Sequence, residues 1–155
     1  MKKLITIEDF INLKQQGKFE NKKIVFTNGC FDILHSGHVL YLEEAASLGD
    51  ILFLGLNSDS SVKRLKGSSR PINCERDRAI VLSGLSAIDY IIIFEEDTPW
   101  NLINAIIPDV LVKGGDWKIE NIVGSDIVLK NGGIVKSLIF QENQSTTNII
   151  NKIKS

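Results

Sequence analysis

Cysteines are few in this sequence and long apolar runs are absent, and each of these features excludes a class of protein. Two cysteines, Cys30 and Cys74, are too few for the disulfide framework of a small secreted domain or for a zinc knuckle, which favours a reducing, cytoplasmic location. No run of 18 or more apolar residues is present. The polar start of the chain also lacks the apolar core of a signal peptide, so no membrane partner is expected.

Clustered charge of one sign is lacking as well. The formal net charge is −1 and the lysines and arginines form no basic block, so nucleic acid is not expected as a partner. Apolar residues make up 43% and charged residues 24% of the 155 residues, as in an ordinary globular domain. The sequence therefore predicts a single domain over 1–155, with an N-terminal helical extension at 1–22 and a core at 23–155.

Short apolar runs alternate with helical patterns along the chain. The apolar runs predict strands at 23–28, 51–56, 89–94, 109–113 and 134–140. Helices are predicted between them and at both ends, at 6–16, 36–48, 74–85, 98–107, 125–130 and 147–154. This alternation is typical of an α/β protein, here a single Rossmann-like, doubly wound sheet of about five parallel strands with helices on both faces.

Local details of these elements are predicted too. The first helix is expected to bury four apolar side chains, those of Ile7, Phe10, Ile11 and Leu13. The residues at 63–70 are interpreted as a polar, basic loop. Two later helices are expected to begin at caps, Asn73 for one and Thr98 for the other, with Pro99 in the first turn.

The two histidines lie three residues apart, where the first strand gives way to a helix. His35 and His38 can therefore face one ligand, as imidazole donors to phosphate oxygens beside the N–H groups of the helix start. A metal site would need a third ligand, for which Asp32 is the only near candidate, and histidines without a role are the remaining alternative. Gly29 and Gly37 would let the backbone approach a phosphate, but neither a G-x-G-x-x-G fingerprint nor a P-loop is present.

Further polar stretches are expected at the same edge of the sheet. The basic stretch 63–70 carries, together with Arg78, five positive charges that suit a phosphorylated substrate or form a solvated basic face. The stretch 113–116 places a carboxylate where a ribose diol could bind, and 144–147 places hydroxyls at another helix start. Each of the last two could equally be turn and cap chemistry.

The segment Gly29–His38 resembles the G-x-F-D-x-x-H-x-G-H signature of the cytidylyltransferase-like nucleotidyltransferases. Within that group, the wider text over 24–153 is similar to the heptose 1-phosphate adenylyltransferases. The similarity rests on separated stretches in the same order, namely 27–35, 57–67, 70–71, 94–99, 112–116 and 145–150. Chance agreement over so many ordered stretches is implausible.

The resemblance implies a role for each matching residue. The catalytic residues would be His35, His38, Lys66 and Arg78, all of which would contact phosphates. The nucleotide would be bound by Gly29, Cys30, Phe31, Gly37, Asn57, Gly114, Asp116, Ser145, Thr146 and Thr147. The sugar phosphate would lie near Asp32, Lys66 and Arg70.

The reaction implied by the resemblance is transfer of AMP from ATP, with Mg²⁺, to D-glycero-D-manno-heptose 1-phosphate, giving ADP-heptose for lipopolysaccharide or other surface glycans. The anomeric phosphate oxygen would attack the α-phosphorus in line, and pyrophosphate would leave without a covalent intermediate on the protein. No residue set for a metal bound by the protein itself is identified. Two alternatives stay open: a glycerol-3-phosphate cytidylyltransferase-like enzyme and a non-catalytic nucleotide-binding module.

The assembly and the surroundings of the domain are also expectations from the resemblance. Relatives tend to be dimers, so a homodimer is possible. Many are fused to a sugar kinase, so a stand-alone domain would depend on a separate kinase for its substrate. Some positions depart from the family pattern: 142–144 lack the usual glycine, Ser68 replaces a common proline, and Arg76 has no family role.

Overall fold

The computed structural model describes residues 2–139 and 145–155. Its strands are β1 Ile24–Gly29, β2 Ile51–Asn57, β3 Tyr90–Phe94, β4 Val110–Gly114 and β5 Ile134–Leu138. They form one parallel sheet in the order β3-β2-β1-β4-β5. The helices are α1 Ile7–Gln15, α2 Ser36–Ala46, α3 Asp59–Lys66, α4 Glu75–Ser83, α5 Trp100–Ile106, α6 Ser125–Lys130 and α7 Thr146–Lys154, with a 3₁₀ turn at Ile119–Asn121. The predicted Rossmann-like sheet of five parallel strands is confirmed.

The sheet has an apolar core on each face, because successive side chains of a strand point to opposite sides. One core contains Phe26 and Phe53 and includes side chains of α1, α5 and α6. The other contains Val25 and Leu54 and includes side chains of α2 and α4. Helices therefore cover both faces, which explains why the central strands are continuous apolar runs and leaves the carboxyl edge of the sheet to loops.

The first residues of the chain pack on this core. Thr6 caps α1 through a capping box, in which its Oγ1 accepts a hydrogen bond from Asp9 N at 3.1 Å. The Phe10 side chain is fully buried. Leu4 forms a parallel bridge with Ile91 beside β3. The N-terminal segment thus contributes both a core side chain and a cover for the edge of the sheet.

Two predictions about helical faces and loops were wrong. Ile11 is 43% exposed, because the nine-residue α1 buries only a narrow face, centred on Phe10. The first half of the predicted basic loop, 63–66, is helical and forms the end of α3. This helix forms because the Ser58 side chain caps it, accepting a hydrogen bond from Ser61 N at 3.2 Å.

Two predicted caps were also wrong. Asn73 does not cap α4, since its side chain donates instead to the backbone oxygen of Asp32 at 2.8 Å, and Cys74 occupies the N-cap position. Pro99, rather than Thr98, occupies the N-cap position of α5, and that helix has no side-chain cap.

Some predictions concern residues outside the described ranges. They are Phe140, the predicted end of the last strand, and the departures from the family pattern at 142–144. Across 2–139 and 145–155, none of the helices combines the length and the apolar character that crossing a lipid bilayer requires.

Candidate active site

The carboxyl ends of β1 and β4 border a cavity of about 730 Å³. The strand order β3-β2-β1-β4-β5 reverses direction between these two strands, and open α/β sheets bind ligands at such a switch point. A larger cavity of about 920 Å³, bordered by α1 and α5, contains neither histidine. Because the two histidines line only the first of these cavities, we take that cavity, the switch-point cavity, as the candidate active site.

All but three of the predicted site residues line the switch-point cavity. The lining residues are Gly29, Cys30, Phe31, Asp32, His35, His38, Asn57, Lys66, Arg70, Gly114, Ser145, Thr146 and Thr147. Gly37 and Arg78 are buried behind the wall, and Asp116 is exposed two residues beyond the lining residue Gly114. The fold thus brings together segments that are more than 100 positions apart in the sequence, as expected for the ends of parallel strands.

His35 and His38 lie at the start of α2, with His35 in the N-cap position. Their rings stack with centroids 3.8 Å apart and planes inclined by 24°. The Phe31 and His38 rings pack edge to face, with 5.1 Å between the centroids and planes inclined by 63°. Within the described part of the chain, both Nδ1 atoms are buried without a hydrogen-bond partner.

Both imidazoles are neutral at pH 7 in the free protein. Burial lowers the pKa of His35. Burial, with a further contribution from His35, lowers the pKa of His38 to about 4. Each neutral ring offers one N–H donor and one acceptor nitrogen. The negative charge of a bound phosphate would favour protonation of the rings, so the pair can donate to phosphate oxygens and take up a proton beside them.

The backbone around Gly29 is shaped by the Phe31 ring. Phe31 adopts a left-handed conformation, with φ at 46°, a strained geometry of the kind found at functional sites. A Cβ atom added at Gly29 would lie 2.7 Å from Cε2 of that ring. Glycine is therefore required here so that Phe31 can fold back and support His38.

The carboxylate of Asp32, which is 3% exposed, is engaged by the loop before α4. Arg70 Nε donates to Oδ2 at 2.6 Å, and the N–H groups of Ile72 and Asn73 donate at 2.8 Å to Oδ2 and 2.9 Å to Oδ1. Burial alone would raise the pKa of Asp32, but these hydrogen bonds and the charge of Arg70 outweigh it and hold the pKa below its usual value. Asp32 lies in the cavity wall, as the sequence indicates, but its charge is directed at this loop.

Arg78 has no exposed side-chain surface. Its Nη1 donates to the backbone oxygens of Cys30 at 2.7 Å and Asn57 at 2.9 Å. Its Nε donates to the Asn73 oxygen at 3.0 Å, and its Nη2 pairs with Asp59 Oδ1 at 2.8 Å. The guanidinium therefore connects the ends of β1 and β2 to α3 and to the loop before α4, and sequence reasoning gave no indication of this burial.

The start of α7 reaches the same cavity. Ser145 caps the helix by accepting a hydrogen bond from Asn148 N at 3.0 Å. Thr146 Oγ1 donates to the backbone oxygen of Ile33 at 3.2 Å, in the loop that precedes α2. Two helix N-termini thus meet at the cavity, and each presents free N–H groups of the kind that bind phosphate.

Residues 26–152 match the cytidylyltransferase-like family. The chain belongs to this family. The resemblance drawn from the Gly29–His38 segment is therefore confirmed at the level of the family. The match includes most of β1, the other four strands, the paired histidines and the start of α7, so it rests on most of the chain and not on one motif.

Relatives of this cytidylyltransferase-like chain are considerably longer. It is 60% identical over 153 residues to the bifunctional protein HldE of Campylobacter concisus, which covers 98% of this chain and 31% of the relative. It is 55% identical over 152 residues to the bifunctional protein HldE of Haemophilus ducreyi, covering 98% and 32% respectively. The chain therefore spans about a third of the length of these relatives.

Solved structures show the same fold. The lipopolysaccharide core biosynthesis protein of Thermoplasma volcanium has a TM-score of 0.62 and 29% identity, covering 80% of this chain and all of that one. The pantoate-β-alanine ligase of Francisella tularensis has a TM-score of 0.61 at 13% identity, covering 99% of this chain and 77% of that one. The latter likeness concerns the fold alone.

Several residues that line the cavity were given no role of their own in the sequence prediction, among them Tyr41, Lys113 and Trp117. Tyr41 lies one helical turn after His38, and its hydroxyl is 2.6 Å from Thr27 Oγ1; burial raises its pKa to about 12. Lys113 and Trp117 flank the Gly-Gly-Asp turn after β4. Tyr41 could have been predicted from its position three residues after His38 in the same helix. Lys113 and Trp117 could have been predicted because they adjoin the Gly-Gly-Asp turn.

Proposed function

We propose that this protein transfers AMP from ATP to D-glycero-D-manno-heptose 1-phosphate, releasing pyrophosphate and ADP-heptose. The observation that carries the proposal is the stacked, neutral His35–His38 pair in a cavity that also receives the start of α7. The heptose branch is supported by the ordered stretches of similar sequence and by the 60% identity to a bifunctional HldE protein. The similarity to the lipopolysaccharide core biosynthesis protein of Thermoplasma volcanium agrees with the heptose branch.

The chain's own residues would position two anions and neutralise charge, which is the main task in phosphoryl transfer. The imidazole N–H groups of His35 and His38 would hold the β- and γ-phosphates, together with the free N–H groups at the starts of α2 and α7. Lys66, exposed at the end of α3, would meet the sugar phosphate as it enters. The attacking oxygen belongs to the sugar phosphate, which is already ionised, so no protein nucleophile is required.

The thiol nearest to the reaction is unsuited to covalent catalysis. Burial raises the pKa of Cys30, so the group is a neutral thiol at pH 7. Its backbone carbonyl is bound to Arg78. We propose that Cys30 and Phe31 contribute backbone groups to the nucleotide site, and that Gly114 and Asp116 contact the adenosine at the end of β4.

Mg²⁺ fits this site as part of the nucleotide substrate. The described residues contain no cluster of three or more metal-ligating side chains, and the carboxylate of Asp32 is committed to Arg70 and the loop before α4. Because Mg²⁺ in nucleotide sites is held largely by substrate phosphates and water, we propose that it enters on the triphosphate. There it would neutralise charge on the phosphate oxygens.

Further parts of the proposal concern the setting of the enzyme. We propose that it acts in the cytoplasm on small-molecule substrates, as a single catalytic domain, with nucleic acid not among its partners. A homodimer belongs to the same proposal.

The test is pyrophosphate release with Mg²⁺. ATP, GTP and CTP are each offered with both anomers of D-glycero-D-manno-heptose 1-phosphate, and with glycerol 3-phosphate. Release from ATP with one anomer is expected. His38→Ala should lower turnover by about 100-fold or more, in the range lost with a positioned acid–base group, while circular dichroism stays unchanged.

Other outcomes of this assay would redirect the assignment. Release from CTP with glycerol 3-phosphate alone would overturn the proposal in favour of a glycerol-phosphate cytidylyltransferase. ATP binding without release from any pair would overturn it in favour of a non-catalytic nucleotide-binding module. Lys136→Met, at an exposed position of β5, is the control variant and should keep full activity.

A further inference from the structure

Lys113 is a cation in the wall of the switch-point cavity that the proposed function has not used. It lies in β4 one position before Gly114, on the strand next to β1 at the switch point. The side chain is half-buried and lines the cavity together with both histidines. None of the ion pairs among the described residues includes it. A half-buried ammonium without a carboxylate partner is unusual and points to a ligand that supplies the negative charge.

The contact that Lys113 does make is a weak and displaceable one. Its Nζ lies 5.7 Å from the centroid of the Trp117 ring, and a cation over an exposed aromatic ring gains only about 0.5–1 kcal/mol. Trp117 itself is fixed, because its Nε1 donates to Gly114 O at 3.1 Å and its N–H donates to Ser137 Oγ at 3.0 Å. The ring therefore holds the ammonium beside the cavity without neutralising it.

The other cations of the site are largely committed. Arg70 pairs with Asp32 at 2.6 Å, and the buried Arg78 pairs with Asp59 at 2.8 Å. Of the cavity-lining cations in the described part of the chain, this leaves Lys66 and Lys113 outside an ion pair. Burial lowers the pKa of Lys113, and the charge of Lys66 adds to the effect. An anion between or beside the two ammonium groups would offset both the burial of the Lys113 charge and its repulsion by Lys66.

We propose that Lys113 binds the α-phosphate of the nucleotide and stabilises its charge during transfer, an assignment that rests on the proposed function. The adjacent Gly114 is the residue proposed to contact the adenosine, and the α-phosphate is the phosphate bonded to the ribose. The β- and γ-phosphates have their own donors at the starts of α2 and α7. Lys113 thus supplies positive charge where the sugar phosphate and the α-phosphorus meet, which is where repulsion between the substrates is greatest.

The experiment compares Lys113→Met, Lys113→Arg and the control Lys136→Met by calorimetric titration with adenosine, AMP and ATP. Methionine keeps a flexible, unbranched side chain of nearly the same length but removes the charge. Lys113→Met should weaken the binding of AMP and ATP by about tenfold or more, the value of one charge-assisted hydrogen bond, and leave adenosine binding unchanged. Lys113→Arg should recover most of the affinity, and Lys136→Met should match the wild type.

Turnover provides the second readout. Lys113→Met should lower kcat by about 100-fold, as for loss of one preorganised donor to a developing charge, with a smaller change in the KM of the sugar phosphate. Normal AMP and ATP binding by Lys113→Met would overturn the assignment even if turnover fell. An equal loss of adenosine affinity would also overturn it, because it would indicate a damaged pocket.

The two proposals fail in different ways. If the wild type binds ATP but converts no heptose phosphate, the proposed function fails. The assignment of Lys113 is then still decided by the adenosine, AMP and ATP series, which needs no second substrate.

Discussion

Arg78 and Asp59 form an ion pair in which the guanidinium has no exposed surface and Nη2 lies 2.8 Å from Oδ1. Family resemblance implies that this arginine contacts phosphates. The geometry instead assigns its donors to one carboxylate and to the carbonyls of Cys30, Asn57 and Asn73. A guanidinium used in this way fixes the relative positions of four segments that line or support the switch-point cavity.

The first prediction concerns the removal of this guanidinium. Arg78→Met should lower the free energy of unfolding by about 3 kcal/mol or more, because a buried ion pair is broken and three carbonyls lose their donor. Arg78→Lys should recover only part of this, since an ammonium cannot reproduce the fork of donors. Urea unfolding followed by circular dichroism measures both.

The neighbouring Arg76 provides the matched control. It is exposed, one position past the start of the same helix, so Arg76→Met should change stability by less than about 0.5 kcal/mol. An Arg78→Met protein with wild-type stability and weakened ATP affinity would contradict the positioning role and restore a direct phosphate contact.

The second prediction compares a buried with an exposed ion pair. Asp32→Asn keeps the shape of the side chain but turns an amide N–H₂ toward Arg70 or the N–H groups of Ile72 and Asn73. Stability should fall by about 2–4 kcal/mol, because an uncompensated charge and an unmatched donor are left in the wall of the cavity. The KM for the sugar phosphate should rise as well, because the loop that carries Arg70 loses its anchor.

Asp97 is the exposed counterpart. It pairs with Arg64 at 2.6 Å, with side chains 59% and 48% exposed respectively. Asp97→Asn should therefore cost less than about 1 kcal/mol in the same unfolding experiment. Equal losses for Asp32→Asn and Asp97→Asn would show that the network around Asp32 adds nothing beyond a surface pair.

The sheet and the position of the histidines could be predicted from the sequence because they depend on local patterns. Apolar runs such as 51–56 have the length and continuity of buried parallel strands. His35 and His38 lie at the start of an amphipathic segment. The parallel sheet then places all carboxyl ends at one edge. The site residues that follow different strands therefore meet at this edge because of the strand topology, and predicting this requires no knowledge of individual tertiary contacts.

The roles of Asp32 and Arg78 could not be predicted in this way. Both are charged residues, for which exposure is the ordinary expectation. Their burial results from partners about 20–50 positions away, among them Arg70 for Asp32 and Cys30 for Arg78. The α3 helix was missed for a related reason, since a strongly basic stretch reads as a loop unless the cap at Ser58 is recognised.

The third prediction concerns the two thiols. Cys74 is exposed and Cys30 is partly buried with a raised pKa, so a disulfide reagent at pH 7 should label Cys74 first and Cys30 slowly. Cys30→Ala should keep activity within about threefold, because the proposed contribution of this residue comes from its backbone. A much larger loss of kcat in a well-folded Cys30→Ala protein would show that the sulfur itself takes part.

The fourth prediction concerns stability in acid. The pKa of His38 is about 4 in the folded protein, whereas an unperturbed histidine titrates near 6.5. Between these values the unfolded chain binds more protons than the folded one, so stability falls as the pH drops through this range. The loss of unfolding free energy due to His38 should be about 2 kcal/mol between pH 7 and pH 5.

The variant His38→Asn removes this group and leaves the acidic residues in place. The unfolding free energy of the variant should therefore decline less steeply than that of the wild type over the same interval. Parallel declines in the two proteins would show that His38 is protonated as readily in the folded state as in the unfolded one, and that the cavity does not keep the ring neutral.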